Sequence, residues 1–163
     1  MVQDVVCFHK PGEPNDYLSN WYYSDFILDG IKFNSVEQYM MYSKAMTFGD
    51  TEIAQQIMNT RDFSLMKQLG RQVRGYNDAH WSSIRYEVVK AGVLAKFVQN
   101  PGLAEKLLNT GTRLIAECAT RDLIWGIGYG MTGPKRLDPS LWRGQNLLGK
   151  ALMEVREEIR RSI

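Results

Sequence analysis

The spacing of apolar residues changes once along this chain, after Phe33, and that change constrains the fold more than any other feature of the sequence. Before it, apolar runs are short and rich in β-branched or aromatic residues, with turn residues between them. Asp4–His9 reads as a strand. Trp21–Phe26 and Ile31–Phe33 flank Asp29-Gly30, a strong signal for a two-residue hairpin. After it, the spacing is helical. Val36, Tyr39, Met40, Tyr42 and Met46 follow two overlapping capping boxes, Asn34-Ser-Val-Glu37 and Ser35-Val-Glu-Gln38. Asp50 can cap a helix carrying Ile53, Ala54, Ile57 and Met58, and a short helix runs from about Asp62 to Leu69 and stops at Gly70. Ser82 or Ser83 starts a long helix with Ile84, Val88, Ala91, Leu94, Ala95 and Val98 on one face, ended by Asn100-Pro-Gly. Leu103–Leu108 follows Pro101, and Leu114–Cys118 reads as a strand. Residues 126–145 are Gly-rich and irregular. Leu147–Ile163 is a last helix with Leu148, Ala151, Leu152, Val155 and Ile159 as its buried stripe and a Glu157–Arg161 pair on its surface. The expected class is α+β, mainly helical, with a small antiparallel sheet near the amino terminus. Nothing alternates strand–helix–strand, so a doubly wound sheet is not expected.

Length and composition narrow the classes. The 163 residues fit a single domain spanning 1–163. Lys+Arg number 20 against 18 Asp+Glu, a net charge of +2, which excludes a polybasic nucleic-acid arm and an acidic tail but leaves room for a local basic pocket. Cys7 and Cys118 are far apart in sequence and form no CxxC, so a zinc ribbon or disulfide scaffold is not expected. Met1–Lys10 does not read as a leader, since Asp4, His9 and Lys10 interrupt its apolar stretch. No run reaches the ~18–20 apolar residues of a membrane span. The expectation is a cytoplasmic protein with two free thiols, no membrane association and no obligate protein partner.

Several motifs fail on context. Gly128-Tyr-Gly130-Met-Thr-Gly133 fits GxGxxG, but Pro134 and Pro139 follow where a dinucleotide site needs a helix. Gly149-Lys150-Ala151 lacks the other residues of a P-loop. His9 and His80 have no zinc spacing, and no serine sits in a nucleophile elbow, so no metal site is expected.

Three segments carry candidate chemistry. Glu37 and Lys44, seven residues apart on one helix, share a face at about 10.5 Å along the axis. A lysine beside Tyr39 and Tyr42 can lose proton affinity through desolvation, the usual route to a nucleophilic amine, while Glu37 acts in the opposite sense. The plainer reading makes Glu37 the capping acid of Asn34 and Lys44 a solvated residue. In Arg121-Asp122-Leu-Ile-Trp125-Gly126, an acid, an indole and a glycine form a loop that can approach a ligand closely; alternatively Trp125 is core and Asp122 a turn former. In Arg143-Gly-Gln-Asn146-Leu-Leu-Gly149, Asn146 suits an N-cap, and the helix end behind it can receive a phosphate or serve as a cap only.

These segments form a longer ordered set. Leu18-Ser19-Asn20, Val36-Glu37-Gln38-Tyr39, Lys44-Ala45, Gly70-Arg71, Trp81, Leu94-Ala95-Lys96-Phe97, Asp122-Leu-Ile-Trp125-Gly126, Gly144-Gln-Asn146-Leu-Leu-Gly149 and Leu152-Met-Glu-Val-Arg-Glu together resemble the YbiA-like, or NADAR, family over nearly the whole chain. The resemblance implies a mainly helical YbiA-like fold and an N-glycosidase that cleaves between a ribose anomeric carbon and an exocyclic amine. Its implied substrates are phosphorylated ribosylamino-pyrimidine intermediates of riboflavin synthesis, or ADP-ribosylated guanine, free or linked to nucleic acid. It implies no cofactor. It assigns catalysis to Glu37, Lys44 and Asp122, and substrate binding to Ser19, Asn20, Trp21, Tyr39, Arg71, Trp125, Gly126 and Asn146. Tyr42-Ser43 before the lysine, Trp21-Tyr-Tyr, and the longer loop after Gly126 depart from the usual pattern and bear on substrate choice. The competing expectation is a non-catalytic module that binds ADP-ribose or a nucleotide in the same pocket.

Overall fold

The structure, a computed structural model, describes residues 4–163; residues 1–3, the start of the stretch read for a leader, lie outside it. In chain order the elements are β1 (Val5–Phe8), β2 (Phe26–Leu28), β3 (Ile31–Phe33), α1 (Val36–Thr47), α2 (Thr51–Met58), α3 (Phe63–Arg71), α4 (Asp78–Val98), α5 (Pro101–Leu108), β4 (Leu114–Glu117) and α6 (Leu147–Arg161). The mainly helical class with little sheet is therefore the observed one. Among the described residues, no helix is long and apolar enough to cross a membrane. The chain divides into two units. One is Met1–Tyr22 with Pro101–Ile163, and the other is the continuous stretch Tyr23–Asn100.

In the continuous unit, β2 and β3 pair antiparallel from Phe26↔Phe33 to Leu28↔Ile31. Asp29 (φ 53°) and Gly30 (φ 77°) make the tight turn that Asp-Gly predicts. The outer edge of β2 is closed by a side chain: the Ile27 N–H donates to Gln99 Oε1 (2.8 Å), and Gln99 Nε2 donates to the Ile27 carbonyl (2.7 Å). α1 then packs on α2, α3 and α4. Asp50 caps α2 by accepting from the Ile53 N–H (3.2 Å) and also accepts from the Arg74 backbone N–H (2.8 Å) and guanidinium (2.8 Å). The Arg74 guanidinium holds the Asp50 carboxyl well below the usual carboxylate range.

Two helix boundaries and one helix face differ from the sequence expectation. α3 does not stop at Gly70 but runs on to Arg71. A Cβ at Gly70 would fall 2.1 Å from Met41 Sδ, so this glycine permits close helix packing instead of ending a helix. α4 starts a turn before Ser82, because Asn77 Oδ1 accepts from the His80 N–H (2.9 Å). Its buried side is Trp81, Val89, Gly92, Val93, Lys96 and Phe97, while Ala91 is exposed and Val98 is 59% exposed. The expected stripe failed because the real one contains a glycine and a lysine, which an apolar count skips.

In the other unit, β1 pairs with β4, parallel, from Val5↔Leu114 to Phe8↔Glu117. The single antiparallel sheet expected near the amino terminus is thus two sheets of two strands, and β1 takes a partner from beyond all five intervening helices. α6 packs on β4 and α5 and buries Leu148, Ala151, Leu152, Val155 and Ile159, as its periodicity predicts. Arg156 is buried beside that stripe, where it donates to Thr110 Oγ1 (2.9 Å) and the Arg113 carbonyl (2.8 Å). Glu157 pairs with Arg160 and with Arg156 (3.6 Å), not with the expected Arg161. Pro134–Leu137 and Pro139–Leu141 are short 3-10 helices, so no α-helix opens at the GxGxxG run.

Candidate active site

The α1 candidates rest on how that helix begins. Ser35 is the N-cap: its Oγ accepts from the Gln38 N–H (3.1 Å), and Gln38 Oε1 accepts from the Asn34 N–H (2.8 Å). The capping box is closed by Ser35 and Gln38, so the reading of Glu37 as the capping acid of Asn34 is corrected. Glu37 is a carboxylate 4% exposed in the first turn of a helix, a position that caps do not require. Two turns on, Lys44 is half-buried with its Nζ 4.7 Å from the Tyr76 ring centroid. Burial pushes the Lys44 amine below the ordinary lysine range and the Arg71 charge pushes the same way, while Asp78 and Glu37 oppose both. Lys44 is therefore not a plainly solvated residue.

The surroundings of Lys44 include a pair that the sequence reading missed. Tyr76 donates its phenol to Asp78 Oδ1 (2.7 Å) and meets Phe48 edge-on (5.3 Å between centroids). Neither Tyr76 nor Asp78 carries a motif; the expected start of α4 at Ser82 left both in a loop. Tyr39 has its ring edge-on to Phe33 (5.1 Å) and Phe26 (6.1 Å), and a Cβ at Gly92 would fall 2.6 Å from Tyr39 Cδ2. That ring builds the interior of its unit. Arg71, at the end of α3, is exposed.

The remaining candidates belong to the other unit. Ser19 and Asn20 are 3% and 8% exposed, and Ser19 Oγ accepts from the N–H of half-buried Trp21 (3.0 Å). Asn20 Oδ1 is buried with no hydrogen-bond partner, a cost of about 1–3 kcal/mol that a ligand's hydroxyl can remove. Asp122 Oδ1 accepts from the Ile124 N–H (3.0 Å) and the Trp125 N–H (2.8 Å), so it shapes the turn that presents the half-buried indole. Gly126 and Gly144 are backbone neighbours: a Cβ at Gly144 would lie 2.1 Å from the Gly126 carbonyl oxygen. Asn146 precedes α6 but does not cap it with its side chain. With φ 53°, it turns back onto β4. Its Oδ1 accepts from the Glu117 N–H (3.1 Å) and its Nδ2 donates to the Ile115 carbonyl (2.9 Å). Among the described residues, no cluster of three or more His, Cys, Asp or Glu side chains is placed to hold a metal.

Residues 7–160 match the family model of the NADAR domain. N-glycosidase R617 of Acanthamoeba polyphaga mimivirus is 41% identical over 146 residues, 86% of this chain and 86% of that protein. Riboflavin biosynthesis protein VVA0006 of Vibrio vulnificus is 30% identical over 159 residues, covering 98% of this chain but only 40% of that longer protein. Among solved structures, the NMR structure of the E. coli protein YbiA has a TM-score of 0.79 at 25% identity, covering 99% of this chain and 88% of that one. The fold and the relatives define a hydrolase of the N-glycosidase class. The chain belongs to the NADAR domain family.

Proposed function

We propose that this N-glycosidase acts on an exocyclic N-riboside: a phosphorylated ribosylamino-pyrimidine of riboflavin synthesis, or ADP-ribosylated guanine, free or strand-linked. The reading rests on α1, where a buried carboxylate and an amine of lowered proton affinity share one helix. The name of the Vibrio vulnificus relative supports the pyrimidine class.

The chemistry comes from the bond. An N-riboside with an exocyclic nitrogen opens its furanose to an imine, which a neutral amine can attack. Lys44 adds to the anomeric carbon, and Glu37 delivers a proton to the departing amine. The C–N bond to the base breaks, leaving a Schiff base on Lys44. Water adds to that carbon, and collapse frees the sugar and restores the amine. The half-buried position of Lys44 beside Tyr76 suits it to this work, because desolvation raises the neutral fraction. In the unit that holds α1, Arg71 offers its bidentate fork to a phosphate and Tyr39 shapes the wall. The other unit's candidates carry their own proposed roles: Asp122 orients ribose hydroxyls or serves as a second acid/base, Trp125 and Trp21 wall a base or sugar, Asn20 offers its unpaired oxygen to a hydroxyl with Ser19 beside it, and Gly126 and Asn146 shape that wall. No cofactor or protein partner enters the scheme, and the two free thiols suit a reducing cytoplasm.

The test is borohydride reduction during turnover on each of the two substrate classes, read by intact mass and peptide mapping. The expected result is a sugar adduct on Lys44 with one class and release of its free base. Base release without any adduct would overturn the Schiff base in favour of direct attack by water. Tight product binding with no release from either class would make the chain a nucleotide-binding module.

A further inference from the structure

The run that fails as a dinucleotide motif, Gly128–Gly133, belongs to a segment whose charge and hydrogen bonding the glycosidase reading leaves unused. Residues 126–145 hold three cations, Lys135, Arg136 and Arg143, against one acid, Asp138, a surplus of +2 that equals the net charge of the whole chain. The rest of the chain is therefore neutral in sum. Asp138 is turned to Ser140, accepting from its N–H (3.1 Å) and its hydroxyl (2.6 Å). Among the described residues, none of the three cations forms a salt bridge. Lys135 and Arg143 are exposed and share one aromatic ring: Arg143 Cζ lies 4.4 Å and Lys135 Nζ 5.7 Å from the Tyr129 centroid. Tyr129, Met131, Leu137 and Trp142 pack on the core around Ile127, which holds the segment in place.

The main chain carries the same bias. The Ile127 carbonyl accepts from the Arg143 and Gly144 N–H groups (3.0 Å each). The Gly133 carbonyl accepts from the Arg136 guanidinium (2.7 Å), and the Gly128 carbonyl accepts from that of Arg143. The N–H side is left over: among the described residues, no protein group accepts from the backbone N–H groups of residues 129–133. Successive backbone donors beside uncompensated positive charge are the elements that bind phosphate oxygens. Access is open, since a Cβ at Gly133 would meet nothing within 4 Å.

We infer that the segment 128–143 is a docking surface for single-stranded nucleic acid, whose phosphates lie against Lys135 and the N–H groups of 129–133 and whose bases stack on the layered Arg143–Tyr129 pair. A phosphodiester strand meets each feature of the surface. Its charges answer the unpaired cations, its oxygens accept from the backbone N–H groups, and its flat bases cover the guanidinium plane. A duplex keeps those base faces stacked on one another and offers only the phosphates.

The experiment measures fluorescence anisotropy of a short labelled oligothymidylate with the whole chain, across about 50–200 mM salt. The probe holds no guanine and no ADP-ribose, so its binding and the glycosidase reading fail independently. The expected result is saturable binding that weakens as salt rises. K135A and R143A should each make the log–log salt slope shallower by about 0.7, which is about eightfold in affinity near 50 mM salt. K67A, at an exposed lysine on α3 in the other unit, should leave both affinity and slope as they are. Circular dichroism checks the fold of each variant, and K135A keeps the test informative if loss of the Arg143 contact to Gly128 disturbs R143A. Absence of binding near 50 mM salt, slopes unchanged in both loop variants, or equal weakening by K67A would overturn the docking surface. Equal binding of a duplex or of polyglutamate of matched length, or displacement of the strand by inorganic phosphate at matched phosphate concentration, would overturn the single-strand assignment.

Discussion

α1 and the segments 122–126 and 144–149 all lie within the stretch that matches the family, yet they use their polar groups in opposite ways. In α1, Ser35 and Gln38 satisfy the helix end between them, so Glu37 is buried without a capping role. Lys44 sits in a field where burial and Arg71 act against its charge. In the second region, Asp122 and Asn146 direct side-chain oxygens and nitrogens at backbone, and Gly126 and Gly144 exist to let backbone approach backbone. A shared motif therefore marks two kinds of environment: charged groups held where burial disfavours their charge, and polar groups whose hydrogen bonds go to backbone. The difference can be measured, because the first kind should fail in rate and the second in stability.

The strongest separation should come from Glu37→Gln. The amide keeps the shape and loses the proton, so turnover should fall by ~10²–10⁴-fold while the thermal midpoint stays near that of the parent. Circular dichroism and base release on the same sample read both. Near-parental activity would move the acid elsewhere.

Asn146→Ala should behave in reverse. It leaves the Glu117 N–H and the Ile115 carbonyl unpaired and puts a Cβ-bearing residue without a polar side chain at positive φ, a cost of roughly 2–4 kcal/mol. The fraction that stays folded should keep most of its kcat. Urea unfolding and active-site-normalised kinetics test this. A loss of kcat with intact stability would make Asn146 a group that touches substrate.

How far the sequence could foresee this contrast depended on distance. Local signals were readable. The Asp29-Gly30 turn, the Asp50 cap and the α6 stripe all rest on residues within a few positions of one another. Pairings across the chain were not: β1 finds β4, and no property of Val5–Phe8 specifies Leu114–Glu117 as its partner. Mixed faces also misled, as in α4, where Gly92 and Lys96 lie on the buried side. At the candidate site, the residues of α1 were legible because Glu37 and Lys44 share one helix. Tyr76 and Asp78 reach Lys44 only through the fold. The overlapping capping boxes could not be resolved from sequence either, since Glu37 and Gln38 both fit the pattern and only the hydrogen bonds choose.

The pH profile sharpens the comparison within α1 itself. If neutral Lys44 attacks, kcat/KM rises with pH along a limb set by its ionisation in the free enzyme, below the ordinary lysine range. Arg71 and Asp78 act on that limb with opposite signs. Arg71→Ala removes a like charge, favours the ammonium and moves the limb to higher pH. Asp78→Asn removes an opposite charge and moves it to lower pH. The midpoint is the quantity to read, because Arg71 can also change substrate affinity. Two shifts in the same direction would show that another group controls the limb.

The smallest effect is on folding. Burial lowers the Lys44 pKa in the folded chain relative to the unfolded one, so between the two values the unfolded chain holds more protons. Stability then rises with pH across that window. The cost of keeping a charged amine half-buried is present in full below the folded value and is relieved by the time pH reaches the ordinary lysine range. Because Lys44 is partly solvated, the increment should be well under about 1 kcal/mol. Urea midpoints taken across that alkaline window for the parent and for Lys44→Met should differ in slope, with the parent rising more. Asp122→Ala, in the framing segment, should leave that slope as it is while lowering stability at every pH. If the slope were the same in the parent and in Lys44→Met, the amine would be as well solvated folded as unfolded, and α1 would lose the feature that sets it apart from the frame.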